Sequence, residues 1–363
     1  MLYWVMDFFK LFYIETGLVL CIAAAWLIDL VIGNPVFLLL PAQLIRVLSR
    51  FTEERLHLIC NKYSTASPQN KDHYERRAGT ILTLYTVLFA LVFTAVLLDC
   101  FRLVHPALYY LLNTYFLYAA LSTRKLVDEA YRIRSLLRKG NLPQARRQLQ
   151  TLSLGEDTQN RIGETGSAPP NESAIIRTAI DSIAERAIDS VISPLCFILL
   201  GAFLGIPAPL VTAFTAICVQ ESTIGQKKDS PQQNSQSPSF RYFCTKLYNA
   251  ANYIPARICG VLLPAASFFC SFDFQKSYNM VRRDHQNYMD SNSAQSASAL
   301  AGALNIQLGG ENYEQGKLSN KSTVGDDIKT PEPNDISAAA KIVTAASAIF
   351  MLAMSILLLQ FHK

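Results

Sequence analysis

Three runs of apolar residues, Leu11–Ile32, Thr80–Phe101 and Ala338–Phe361, are each long enough to cross a bilayer, which no purely soluble globular fold accommodates. A spanning helix needs about 20 consecutive apolar residues, because hydrocarbon offers backbone polar groups nothing but one another. A fourth run, Leu103–Leu121, is interrupted by His105, Pro106 and Asn113, which turn one face towards protein. Val191–Cys218 carries Pro194, Gly205, Pro207 and Pro209, so it reads as two short segments around a Gly-Ile-Pro-Ala-Pro break. Tyr253–Phe269, with Pro255, Arg257 and Pro264 inside it, reads in the same way. These features predict an all-α, polytopic integral membrane helical bundle with broken or re-entrant helices and cytoplasmic loops, four full spans and up to three partial ones. With 50% hydrophobic residues and 17% charged ones, the chain is well short of the roughly 25% charge of soluble domains. No small-residue cleavage site follows the N-terminal run, which is expected to stay as an anchor.

Basic residues set the orientation. Arg50, Arg55, Lys62, Lys71, Arg76 and Arg77 lie before the second run, and Arg124, Lys125, Arg132, Arg134, Arg138, Lys139, Arg146, Arg147 and Arg161 after the fourth. The positive-inside rule places both clusters in the cytoplasm, so the net charge of +5 is a topology signal. The basic residues have no interleaved aromatics, which argues against nucleic acid as a partner and for the lipid bilayer. The eight cysteines are scattered without a C-x-x-C pair and read as small buried hydrophobes. A single membrane domain over 1–363 is expected, with a cytoplasmic helical loop at 122–180 in which Leu126, Ala130, Ile133, Leu136 and Leu137 recur at helical spacing. The stretches 226–239 and 311–335, rich in Ser, Asn, Lys, Asp and Pro, read as mobile loops. No phosphate-binding loop, zinc-protease or nucleophile-elbow motif occurs.

Polar residues gather beside the broken segments. Asp181, Glu185 and Asp189 are spaced by four and stack on one helix face, where a divalent cation with bound phosphate would relieve their repulsion. A solvated face neutralised by Arg177 and Arg186 is the alternative. Glu221-Ser222 follows one apolar segment, and Asn252-Tyr-Ile-Pro-Ala-Arg257 opens another. An arginine at that border either finds a partner or snorkels to the interface. Arg282-Arg283-Asp284, Asn292 and the small-residue run Ala299–Gly310 complete the set, the last explained by tight helix packing alone.

The order of these pieces resembles the adenosylcobinamide-phosphate synthase family of cobalamin biosynthesis, CbiB or CobD, over nearly the whole chain. Leu27-Ile-Asp-Leu-Val-Ile-Gly-Asn-Pro35 and Pro41-Ala-Gln-Leu-Ile45 are similar to its opening motifs, and Ala145-Arg-Arg-Gln-Leu149 with Gly155-Glu-Asp-Thr158 to its A-R-x-x-L and G-R-D-T. Asp181–Leu195 resembles E-S-x-A-E-N-x-x-D-x-x-x-A-P-L, Glu221–Gly225 resembles D-S-M-V-G, and Asn252–Arg257 resembles N-x-x-P-A-R. Arg283-Asp284, Asn292, Ala301–Leu304 and Leu308–Gly310 follow in the family's order. Asp29, Asp157, Glu185, Asp189, Ser222, Gly225, Asn252, Arg257, Asp284 and Asn292 keep the family residue. Arg186 and Cys218 stand where the family has Asn, Leu40 and Tyr288 where it has His, and Ala297 where it has Glu.

The resemblance implies a multi-pass protein of the bacterial cytoplasmic (inner) membrane. It implies ATP-dependent amide formation joining adenosylcobyric acid, a corrinoid, to aminopropanol or its phosphate, with ATP and Mg²⁺ required. Charge and position then suggest Glu185, Asp189, Glu221 and Asp284 as catalytic residues, with Glu185 and Asp189 on the metal. Arg257, Arg283, Asn252, Asn292 and Ser222 would bind substrate, the arginines through phosphate oxygens. A degenerate member that binds a corrinoid without catalysis, favoured by Arg186, Cys218, Tyr288 and Ala297, and a sensor or permease-like protein stay open as alternatives.

Overall fold

The computed structural model describes residues 2–33, 41–66, 71–154, 171–225, 238–286, 291–314 and 317–361. The chain is almost entirely helical and forms an all-α membrane bundle: α1 Leu2–Ile32, α2 Pro41–Ala66, α3 Lys71–Val104, α4 Pro106–Ala120, α5 Thr123–Arg138, α6 Leu142–Leu154, α7 Glu172–Ala187, α8 Ser193–Phe203, α9 Pro207–Gly225, α10 Pro238–Phe269, α11 Phe274–Asp284, α12 Ser291–Leu304 and α13 Pro333–Phe361. Among the described residues, Asp72–Val104, Glu172–Phe203 and Pro333–Gln360 are long and apolar enough to cross a bilayer, and Gly17–Ile32 is a shorter apolar helix.

Two of these stretches depart from the sequence expectation. The run Leu103–Leu121 is not one continuous helix: His105 leaves the helix, its Nδ1 accepts from the Ala107 N–H, and α4 restarts at Pro106 for 15 residues, about 22 Å. Glu172–Phe203, by contrast, passes unbroken through Pro194. A π-helical turn, Ile188–Ile192, joins α7 to α8, and the Ser193 N–H donates to the Ile188 carbonyl immediately before proline removes the next donor. The break expected around Gly205–Pro209 is found there, between α8 and α9, whereas the one expected in Tyr253–Phe269 is absent, since α10 runs through Pro255 and Pro264. Gly205 has φ +75° and Pro207 opens α9, while Gly201 lies where a Cβ would meet the Pro207 Cα at 2.5 Å.

The chain divides into two compact units. The first comprises 1–121, 194–251 and 353–363, the second 122–193 and 252–352. The first has the inside-out polarity of a membrane bundle. On α3, Ile81, Leu84, Leu88, Val92, Phe93 and Val96 are exposed, whereas Thr83, Thr86 and Thr94 are buried. The Thr83 and Thr86 hydroxyls return to helix carbonyls at 2.8 Å, and Gln220 Nε2 of α9 donates to Thr86 Oγ1 at 2.7 Å. Gly79 lets α10 approach so closely that a Cβ there would sit 1.9 Å from the Phe240 carbonyl oxygen.

In the second unit, α5 buries Leu126, Ala130, Ile133 and Leu137 against α6 and α7. Ala294–Leu304 of α12 is buried throughout, and its small residues let α11 come close: a Cβ on Gly302 would meet the Lys276 carbonyl oxygen at 2.6 Å. The stretch 311–335, expected as a loop, instead holds most of an antiparallel hairpin, β1 Leu308–Glu314 with β2 Lys317–Val324, and the start of α13. A bulge between Leu308 and Gly310 needs φ +78° at both Gly309 and Gly310, which explains the glycine pair. Strand ladders are made by backbone groups, so polar side chains did not prevent it. Of the other expected loop, 226–237 lies outside the described residues.

Candidate functional site

Most of the residues singled out by sequence fall in the second unit, and several are joined by hydrogen bonds. Asp189, half-buried on the π turn, accepts from Asn252 Nδ2 at 3.0 Å. The other end of the same amide, Asn252 Oδ1, accepts from Ser193 Oγ at 2.6 Å. Asn252 and Ser193 are fully buried, so this amide is fixed in orientation between one donor and one acceptor. One turn further along α10, Arg257 lies over the Tyr253 ring at 3.4 Å from its centroid. Its Nη1 donates to Asn292 Oδ1 and to the Tyr253 carbonyl, each at 2.9 Å. The π turn, α10 and α12 thus each contribute family-matching residues to a polar cluster.

Arg186 does not pair with Asp189, as its i+3 spacing allowed. Its Nη1 lies 3.0 Å from Glu129 Oε2 of α5, in an ion pair with side-chain exposures of 23% and 6%. Arg283 and Asp284 are also committed. Arg283 Nε and Nη2 donate to the two Asp284 oxygens at 2.7 and 2.9 Å, and Nη1 reaches Asp326 at 2.8 Å. The Gly325 N–H donates to Asp284 Oδ2 at 2.8 Å, tying the end of α11 to the segment after β2. The Arg283 guanidinium, helped by that N–H and opposed by burial, holds the Asp284 carboxyl below the usual carboxylate range.

Glu221 and Ser222 lie in the first unit. Arg241 and Thr245 of α10 bond the Glu221 carboxylate, with Arg241 Nε at 3.1 Å and Thr245 Oγ1 at 3.1 Å. Ser222 Oγ turns back to the Val219 carbonyl at 3.0 Å. Ala297 is buried in α12, whereas Leu40, Asp157 and Tyr288 lie outside the described residues.

Among the described residues, no three His, Cys, Asp or Glu side chains converge as a metal cage. Asp181, Glu185 and Asp189 therefore do not form a three-carboxylate site. Glu185 and Asp189 are each half-buried, and one or two carboxylates are as many as Mg²⁺ commonly takes when phosphate oxygens and water complete its shell. Sequence reading missed Glu129, Ser193, Tyr253 and Asp326. Only Tyr253 carried a signal, the i, i+4 spacing to Arg257.

Comparison with known proteins identifies the family. The model of the CobD/Cbib protein family matches residues 22–343, and the chain belongs to that family. Proteins named "Cobalamin biosynthesis protein CobD" are similar along most of their length. That of Clostridium perfringens is 31% identical over 274 residues, 76% of this chain and 80% of the relative. That of Citrobacter koseri is 28% identical over 334 residues, 92% and 95% of the two chains. That of Streptococcus sanguinis is 33% identical over 265 residues, 73% and 77%. No solved structure matches the chain.

Proposed function

We propose that this protein serves cobalamin biosynthesis as a membrane-bound, ATP-dependent ligase that joins the free carboxylate of adenosylcobyric acid to aminopropanol or its phosphate. Family membership supports the pathway, and the names of the relatives support it too. The observation that carries the reaction type is the hydrogen-bonded series Ser193, Asn252, Asp189, beside the pinned Arg257.

A carboxylate resists attack by an amine, so it is first made an acyl phosphate. Its oxygen bonds the γ-phosphorus and ADP leaves. The amine nitrogen then bonds the carbonyl carbon, the carbon–oxygen bond to phosphate breaks, and the nitrogen gives up a proton. Arg257 holds phosphate oxygens through the guanidinium N–H groups that Asn292 and Tyr253 do not use. Asn252 fixes Asp189 so that its carboxylate stands in one place. Mg²⁺, held by Glu185 and Asp189, would supply neutralisation of phosphate charge. Asp284, locked by Arg283 and Gly325, positions the end of α11 rather than moving a proton. Arg186 pairs with Glu129, which supports a reading in which its cation does not compete for Asp189, while Cys218, Tyr288 and Ala297 still depart from the family.

The test is complementation of a bacterial strain lacking the synthase, scored as corrinoid-dependent growth, with amide formation assayed on the purified protein. Wild type should restore growth and Glu185→Gln should not, at equal expression. Full growth of the Glu185→Gln strain would overturn the assignment of that carboxylate, and failure of wild type would overturn the activity.

A further inference from the structure

We propose that an exposed aromatic and basic face at the junction of α10 and α11 docks on anionic phospholipid headgroups at the membrane interface. Phe268 and Phe269 close α10 and are 68% and 72% exposed, and Phe274 and Tyr278 on α11 are 44% and 40% exposed. Phe274 and Tyr278 stack with centroids 6.1 Å apart, and the Arg282 guanidinium lies 6.0 Å from the Tyr278 ring. Spaced by four, these three residues make one stripe of α11. The opposite side, Ser277, Met280 and Val281, is buried, and the close approach of Gly302 to Lys276 and Ser277 fixes which side faces out.

Four exposed aromatic rings beside arginine form a surface that water alone does not favour. Position selects lipid as the occupant. Cys270, in the turn between α10 and α11, has its Sγ 3.9 Å from the Lys341 carbonyl. Lys341 is exposed and is the last charged residue before the uncharged run 342–361 of α13. The aromatic rings therefore lie near the level at which an apolar helix begins, the depth favoured by Trp, Tyr and snorkelling Lys or Arg. Charge selects the kind of lipid. Asp273 is paired with Lys276, and Asp284 and Asp326 with Arg283, which leaves Arg282 and Lys341 to make the face cationic. Arg134 and Arg138 of basic α5 bond Asn334 at the start of α13. This puts that end of α13 on the positive, cytoplasmic side, where the leaflet is anionic.

The test replaces the protein's two tryptophans, Trp4 and Trp26, by Phe and introduces Tyr278→Trp or, independently, Phe269→Trp. The full chain is placed in phosphatidylcholine nanodiscs of rising phosphatidylglycerol content. The new indole should be quenched by phospholipids brominated near the headgroup and shielded from aqueous iodide. Its half-point in phosphatidylglycerol should move about fivefold for each of Arg282→Gln and Lys341→Gln, the effect of one basic residue near a charged surface. Iodide quenching without bromolipid quenching at both positions would overturn the proposal, as would shielding that depends on protein concentration, the mark of a second copy on this face. A half-point indifferent to both charge changes would overturn its anionic selectivity.

Discussion

Arg186 of α7 and Glu129 of α5 form an ion pair at 3.0 Å in which the carboxylate is almost completely buried. The pair joins two helices of the second unit, while Asp189 accepts from Asn252. Replacing Arg186 by the family's Asn would leave the buried carboxylate short of a donor, and a loss of about 1–3 kcal/mol is expected. Thermal unfolding in detergent should register it as a lower midpoint. Mg²⁺-dependent nucleotide binding by titration calorimetry should stay within about twofold, because the lost cation faces Glu129; a large gain would restore the view that Arg186 suppresses a metal site.

Asn252 bonds both Ser193 and Asp189. Asn252→Asp would set a second carboxylate 3 Å from the first and break the series. Loss of about 100-fold in amide formation is expected, of the size that misplacement of a catalytic group brings. Asn252→Ala should lose comparably, while Ser193→Ala, which leaves the bond to Asp189 intact, should lose much less. Equal losses in all three variants would show that packing and not the carboxylate's position is at stake.

Much of this arrangement was legible in the chain. Gly205 and Pro207 announced the α8–α9 break because one supplies positive φ and the other starts helices. The small residues of α12 announced close packing. What stayed hidden was long-range pairing. Glu129 and Arg186 are 57 positions apart, and nothing in the period of α5 distinguishes a glutamate aimed inward from one in solvent. The π turn has no sequence signature either. Polar residues between 311 and 324 concealed a hairpin whose ladder is built from backbone alone.

Arg257 is held by both a ring face and an amide oxygen. Arg257→Lys keeps the charge but loses the planar fork, so KM for the phosphate-bearing substrate should rise about tenfold with a smaller change in kcat. Tyr253→Leu removes only the ring, worth about 0.5–1 kcal/mol, and should raise KM a few-fold. Steady-state kinetics on the purified protein decides between this and a purely anchoring arginine, for which KM would not move.

The Asp284 carboxyl is depressed by Arg283 and the Gly325 N–H. A depressed acid stabilises the fold at pH above its unfolded value, about 3.9, and that stabilisation is lost as pH falls through the folded value. Acidification below about pH 4 should therefore loosen the tie between α11 and the residues after β2. Hydrogen exchange at Gly325 should accelerate there in the wild type. In Asp284→Asn it should already be fast at neutral pH and change little on acidification.

Glu221 poses a choice between chemistry and structure. Its carboxylate receives Arg241 and Thr245, so its acceptor positions are largely occupied by the same unit of the protein. A general base needs an oxygen open to a proton, and a structural carboxylate needs its donors. The geometry favours the second. Glu221→Gln and Arg241→Gln should then lower the unfolding midpoint by similar amounts, each corresponding to about 1–2 kcal/mol, with Arg241 partly exposed and hence at the lower end. Amide formation measured well below the midpoint should fall in proportion to the folded fraction. If Glu221→Gln instead abolishes the reaction at an unchanged midpoint while Arg241→Gln leaves it intact, Glu221 is a reacting group.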